Sequence, residues 1–155
     1  MSTNSRDPLE RRAELVRRHM RTGWWSLFLF AALGMALELM HGFKFDFYLS
    51  VYNETRRHLW TLAHLHGTLL ALIHLAFAAT LHAGFGARDS SLRLASRALS
   101  GSSLLLPGGF FVGGAVIYGG DPNLGVLLVP VGAALLLLAL LLMGRELLNS
   151  VDERD

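Results

Sequence analysis

Glu38 and His41 stand three residues apart near the end of an apolar run, so on a helix their side chains share one face. That E-x-x-H spacing offers a carboxylate and an imidazole to one metal ion, and paired copies on facing helices would build a carboxylate-bridged di-metal site. Only one copy is present, so the di-iron reading fails on ligand count. A second apolar run carries His58, His64, His66, His74 and His82, five of the seven histidines. His64 and His66 lie about 200° apart on a helical wheel, so one ion could take both only if the helix were distorted near Gly67.

Depth brings these residues together. If the two runs are antiparallel helices joined at the outer side of a membrane, Glu38 and His41 lie within a turn of that side. His64 and His66 lie roughly 7 to 10 Å below Leu59. A carboxylate inside hydrocarbon is costly without a partner, and an imidazole is the partner at that level. The expectation is therefore Glu38 paired with His64 or His66, with Glu38, His41, His64 and His66 as a candidate metal set and His41, His64 and His66 as candidate cofactor ligands. The later apolar runs hold no histidine, so a single bis-histidine haem b could be built, between His41 and either His64 or His66. His74 has no expected histidine partner and should bond a backbone carbonyl, Thr or Ser. Set against all this is a plain structural role, in which Glu and His only hold helices together. Tyr118 and Asp121 could join the cluster, although a turn aspartate before proline usually caps its own loop.

The elements that must position these residues are read from composition. Of 155 residues 52% are apolar and the mean hydropathy is +0.41, more than a soluble domain of this size carries. Four apolar runs, about 24–41, 59–83, 98–118 and 124–143, are each long enough to span hydrocarbon as a helix. Residues 1–22 form a basic segment, with a surface helix expected over 8–21, and 145–155 a tail. No small-residue cleavage pattern ends the first run, which is expected to stay as the first span behind the Trp24–Trp25 belt. Residues 42–58 read as an interfacial loop or short helix, 84–97 as a basic loop and 119–123 as a tight turn. Pro107, Gly108 and Gly109 predict a kink in the third span, Gly109 and Gly113 a close helix contact, and Pro130 a second kink in the fourth.

Six arginines precede the first span, three lie in the basic loop, none in the tight turn and two in the tail. The positive-inside rule then gives both ends inside, with residues 42–58, holding Lys44, Arg56 and Arg57, the one ambiguous link. A net charge of +2 gathered in such flanks orients helices and gives no footprint for nucleic acid. The absence of cysteine excludes disulfides, thiolate metal sites, iron–sulfur clusters and covalent haem. The dominance of arginine over lysine, with abundant Leu, Ala and Gly, is a bacterial, GC-rich composition.

The segment Thr61 to Ala76, TLAHLHGTLLALIHLA, resembles the His-x-His helices of small bacterial membrane proteins distantly similar to haem-copper oxidase catalytic subunits. The resemblance covers one helix of the four and implies that such histidines serve haem or a metal. The later helices lack the further histidines of an oxidase site, so oxygen or nitric oxide reduction by this chain alone is not expected.

The sequence thus reads as an all-α, four-helix up-down-up-down bundle in the bacterial inner membrane. Its expected role is a non-catalytic accessory or assembly component in lipid, with other subunits or copies of itself as partners. The alternatives are a haem b or transition-metal protein built on the Glu/His cluster, and proton or small-solute transport as an oligomer. No nucleophile–base set, phosphate loop or nucleotide motif supports hydrolase or kinase activity.

Overall fold

A computed structural model of the chain describes residues 7–86 and 89–152. Helix α1 runs unbroken over Pro8–Gly42. Its start is set by Asp7, whose side chain accepts the Leu9 N–H at 3.0 Å, and by Pro8 in the first turn, where a missing N–H costs nothing. Its end is a Schellman turn: Phe45 N–H donates to Met40 O, Lys44 N–H donates to His41 O, and Lys44 takes the left-handed φ of 56° usually left to glycine. A short helix α2, Asp46–Leu49, and a 3-10 turn, Val51–Asn53, lead into α3, Glu54–His82. Helix α4 covers Asp89–Ala115 and α5 covers Leu128–Asp152. Between α4 and α5, two-residue strands β1 (Ile117–Tyr118) and β2 (Asp121–Pro122) pair antiparallel across Gly119 and Gly120, both at positive φ as a type I′ hairpin requires.

Four of the helices, α1, α3, α4 and α5, are long and apolar enough to cross a membrane. α1 packs on α3, α3 on α4 and α4 on α5. The shared core comes mostly from α3 and α4, with Leu70, Phe77, Leu81, Leu92, Leu99 and Leu106, closed by Ala139 and Met143 of α5. The two inner helices bury 39% and 44% of their most apolar windows and the two outer ones 11% each, so α1 and α5 present most of their surface outward.

Several boundaries differ from the expectation. The basic segment is no separate surface element: nothing between Arg11 and Trp24 breaks a helix, so α1 carries it straight into the apolar run. α4 begins at Asp89 inside the supposed loop and ends at Ala115, and α5 continues through the supposed tail. Pro107 lies inside α4, but Pro130 stands in the first turn of α5 and not in mid-helix, so it breaks no established ladder there. Gly109 and Gly113 do meet the chain entering α5, where a Cβ would come within 3.0 Å of Val129 N and 3.2 Å of Val126 N.

Candidate functional site

The residues singled out by type and spacing separate into two groups. Glu38, His41 and His64 line one pocket of about 400 Å3, between α1 and α3 beneath Tyr48 of α2. Within it Glu38 and His41 are exposed. His64 turns to α1, where its Nδ1–H donates to Phe30 O at 2.7 Å and its ring lies against Gly34. His66 turns away: its Nδ1–H donates to Leu62 O of its own helix at 2.8 Å, and its ring lies 5.0 Å from that of Phe110 on α4. The wheel separation is therefore met by a regular helix. Gly67, where distortion was expected, receives the Phe30 ring instead.

The expected pairing of Glu38 is thus corrected. Among the described residues no hydrogen bond or ion pair joins it to His64 or His66: the Nδ1–H of His64 goes to a carbonyl of α1 and Glu38 lies at an exposed position. Nor are three His, Asp or Glu side chains placed to share a metal ion among those residues. Tyr118 and Asp121 are exposed in the hairpin, away from this pocket.

The polar centre lies elsewhere. His19 of α1 and His74 of α3 are both fully buried, with Nδ1 atoms 2.6 Å apart and ring centroids at 4.7 Å. His74 does find a serine, as expected, but it also has the histidine partner that reading denied it. Straight continuation of α1 supplies that partner, and Gly23, one turn beyond His19, lets α1 close on Ala71 and Leu75 of α3. On α4, Ser96, Ser100 and Ser103 repeat at helical steps of four and three, which puts their hydroxyls on one face. His19 Nε2 is 2.7 Å from Ser96 Oγ, and His74 Nε2 is 2.7 Å from Ser103 Oγ. The Phe77 ring covers His19 at 4.4 Å.

Donor counting fixes the direction of this chain. Ser103 gives its O–H to Leu99 O at 2.8 Å, so towards His74 it can only accept, and His74 must carry its proton on Nε2. A neutral His74 then accepts at Nδ1, His19 donates from Nδ1, and His19 Nε2 accepts the Ser96 O–H. Each imidazole nitrogen in the series has one partner and one role, and Ser103 Oγ both accepts from His74 and donates to Leu99 O. The series ties α1, α3 and α4 at a single level. Beside it Ser100 O–H donates to Ser96 O, and exposed Arg18 donates to Ser100 Oγ at 3.1 Å.

Arginines hold the helix ends. Near the start of α1, Arg12 donates to Leu81 O, Phe85 O and Gly86 O, beyond and at the end of α3, where the carbonyl ends of a helix attract cations. At the start of α3, buried Arg56 donates to Gly114 O, Ala115 O and Phe47 O, with its guanidinium 4.1 Å over the Phe47 ring. Arg57 caps α2 through Leu49 O and Ser50 O.

A bis-histidine haem or metal needs its two nitrogens about 4 Å apart, two bonds of about 2 Å each. The one imidazole pair in contact among the described residues bonds directly across 2.6 Å, which leaves no gap for an ion. Comparison with protein-family models, with curated proteins and with solved structures returns no match.

His19 is the residue that composition hid, since it sits among arginines. Periodicity could have found it. Leu15, His19, Gly23, Phe30, Gly34 and Leu37 follow one another at steps of three, four or seven, which is one continuous inward stripe.

Proposed function

We propose that this chain is a non-catalytic accessory or assembly component of a bacterial cytoplasmic membrane, folded up-down-up-down with both ends on the cytoplasmic side. The observation that carries this reading is where the intramembrane polar groups go. His19 and His74 use both ring nitrogens on an imidazole and a hydroxyl of this chain, and His64 gives its Nδ1–H to a carbonyl of α1, the use expected of groups that hold helices together. The outward faces of α1 and α5 carry Phe28, Leu29, Met35, Leu137 and Leu141, all exposed and suited to lipid or a neighbouring subunit.

The helix-end contacts support the alternating direction. Arg12 of α1 reaches the loop after α3, and Gly86 of that loop donates to Ser150 near the end of α5, so the start of α1 and the end of α5 gather at one pole. Arg56 joins the start of α3 to the end of α4 at the other. The pole with the arginine-rich flank is then the cytoplasmic one. Arg56 and Arg57, which blurred the charge count, are bound to carbonyls at the outer pole and do not contest it.

Extraction from membranes in mild detergent tests the proposal. The expected preparation is colourless, free of stoichiometric metal, and runs as an assembly heavier than the 17.0 kDa chain. A Soret band or a stoichiometric metal overturns the non-catalytic reading. Monomer alone, both in detergent and after cross-linking in intact membranes, overturns assembly.

A further inference from the structure

The pocket between α1 and α3 holds polar groups that the packing of the helices leaves unused. Tyr48 of α2 is only 5% exposed, yet its phenol hydroxyl has no hydrogen-bond partner among the described residues. His64 gives its Nδ1–H to Phe30 O, which can only accept, so in the neutral ring Nε2 is a bare acceptor. That nitrogen also has no partner among the described residues. It stands against Gly34 of the pocket wall, where a Cβ would lie 2.9 Å from it.

Glu38 follows Gly34 by one turn, about 6 Å along α1. It stands in the apolar stretch of that helix, where a carboxylate in a membrane is costly without a partner. Among the described residues it makes no ion pair, not even with His41 three residues on, and no lysine or arginine lines the pocket. The site offers one negative charge and two further acceptors, and it lacks a cation.

Those needs define the occupant. An anion would meet Glu38 with like charge, and a neutral alcohol would leave that charge unmatched. A metal ion is not the match, since among the described residues Glu38, His41 and His64 are not grouped closely enough to share one. A primary ammonium carries one positive charge and three N–H donors, one each for Glu38, His64 Nε2 and Tyr48 Oη. The cavity of about 400 Å3 is of small-ligand size, and Ala31 and Leu37 give a short alkyl chain an apolar wall. It is open where Glu38, His41 and Thr61 are exposed, so an occupant enters without parting the helices.

We propose that this pocket binds a primary ammonium group, borne by a lipid headgroup or by a free amine, with Glu38 as its counter-charge and His64 Nε2 and Tyr48 Oη as its other acceptors. The proposal does not depend on the assembly reading.

The test titrates the full chain in maltoside detergent at neutral pH and reads occupancy by native mass spectrometry and unfolding temperature. The probes are hexylamine and lysophosphatidylethanolamine. Each is set beside its trimethylated counterpart, hexyltrimethylammonium or lysophosphatidylcholine, which keeps the charge and has no N–H. The expected result is saturable binding of at least one amine, weakened about tenfold or more by trimethylation and by Glu38→Gln, and about two- to tenfold by Tyr48→Phe. Neither substitution removes a hydrogen bond that the described fold uses, so both variants should unfold, without ligand, at the parent's temperature. Asp121→Asn, which alters an exposed carboxylate outside the pocket, should bind as the parent does. Binding of the lipid, with or without hexylamine, assigns the site to a headgroup, and binding of hexylamine alone assigns it to a soluble amine. No saturable binding of either amine overturns the proposal, as does equal binding of the trimethylated forms or undiminished binding in either pocket variant.

Discussion

What a buried polar residue contributes here depends on its partner and not on its burial. Ser96 and Ser102 are both fully buried on α4, yet Ser96 Oγ bonds His19 while Ser102 Oγ has no hydrogen-bond partner among the described residues. Ser96→Ala should leave His19 Nε2 without its donor and cost about 0.5–1.7 kcal/mol, the range of interhelical hydrogen bonds in membranes. Ser102→Ala removes an unpaired hydroxyl and should be neutral or stabilising by up to about 1 kcal/mol. Unfolding temperatures of both variants in one detergent check the contrast, and equal losses would refute it. At this scale the divergence of His64 and His66 was legible, because it follows from two residues' spacing alone. The fate of Glu38 was not, because nothing in sequence distinguishes a carboxylate that faces a partner from one at an exposed position. His19 went unread because its neighbours Arg17, Arg18 and Arg21 dominate local composition, although the inward stripe runs through it.

Between elements, the closest approaches decide which helices can sit together. A Cβ on Gly132 of α5 would lie 2.6 Å from Leu106 N and 2.9 Å from its Cα, backbone atoms that cannot swing aside. Gly132→Ala should therefore push α5 off α4 and cost about 1–3 kcal/mol. Gly144, on the same helix, meets nothing within 4 Å, so Gly144→Ala should gain up to about 1 kcal/mol from helix propensity. The two substitutions are chemically identical, so opposite shifts in unfolding temperature would isolate the packing of α4 on α5. Lys44→Gly should likewise stabilise by about 0.5–1 kcal/mol, since φ is 56° at that helix-ending position. The four apolar runs were legible because length and hydropathy are properties of a segment by itself. The helix expected over 8–21 and the span expected from Trp24 are one continuous helix, and α4 starts at Asp89 and not at 98, because the expectation ended a spanning helix where hydropathy ended. A charged, breaker-free segment such as Arg11–Arg21 continues a helix as well as an apolar one does. Pro130 misled for the opposite reason. Its effect depends on where the helix begins, and the 3-10 turn over Leu124–Leu127 moves that start to Leu128.

At the scale of the molecule, the two poles are closed by different chemistry. One pole gathers Arg12, the loop after α3 and Ser150, and the other gathers α2, Arg56, the end of α4 and the Gly119–Gly120 hairpin, to which Thr55 donates at 2.6 Å. Each pole draws on sequence positions far apart, which is why hydropathy located the spans without saying which ends meet. In the proposed up-down-up-down arrangement the two poles lie in different aqueous compartments. The absence of native cysteine makes this directly measurable. Asp121→Cys in the hairpin and Ser90→Cys at the start of α4 are both exposed positions. If the arginine-rich pole lies inside, as proposed, a membrane-impermeant thiol reagent applied to intact cells should label Cys at 121, and should label Cys at 90 only after the membrane is opened. Labelling of both from outside would remove the alternating topology, and the reverse pattern would invert it. Replacing Arg56 with Gln should leave the labelling pattern unchanged while lowering the unfolding temperature, because its charge is held by carbonyls of Phe47, Gly114 and Ala115 and closes a pole instead of orienting one.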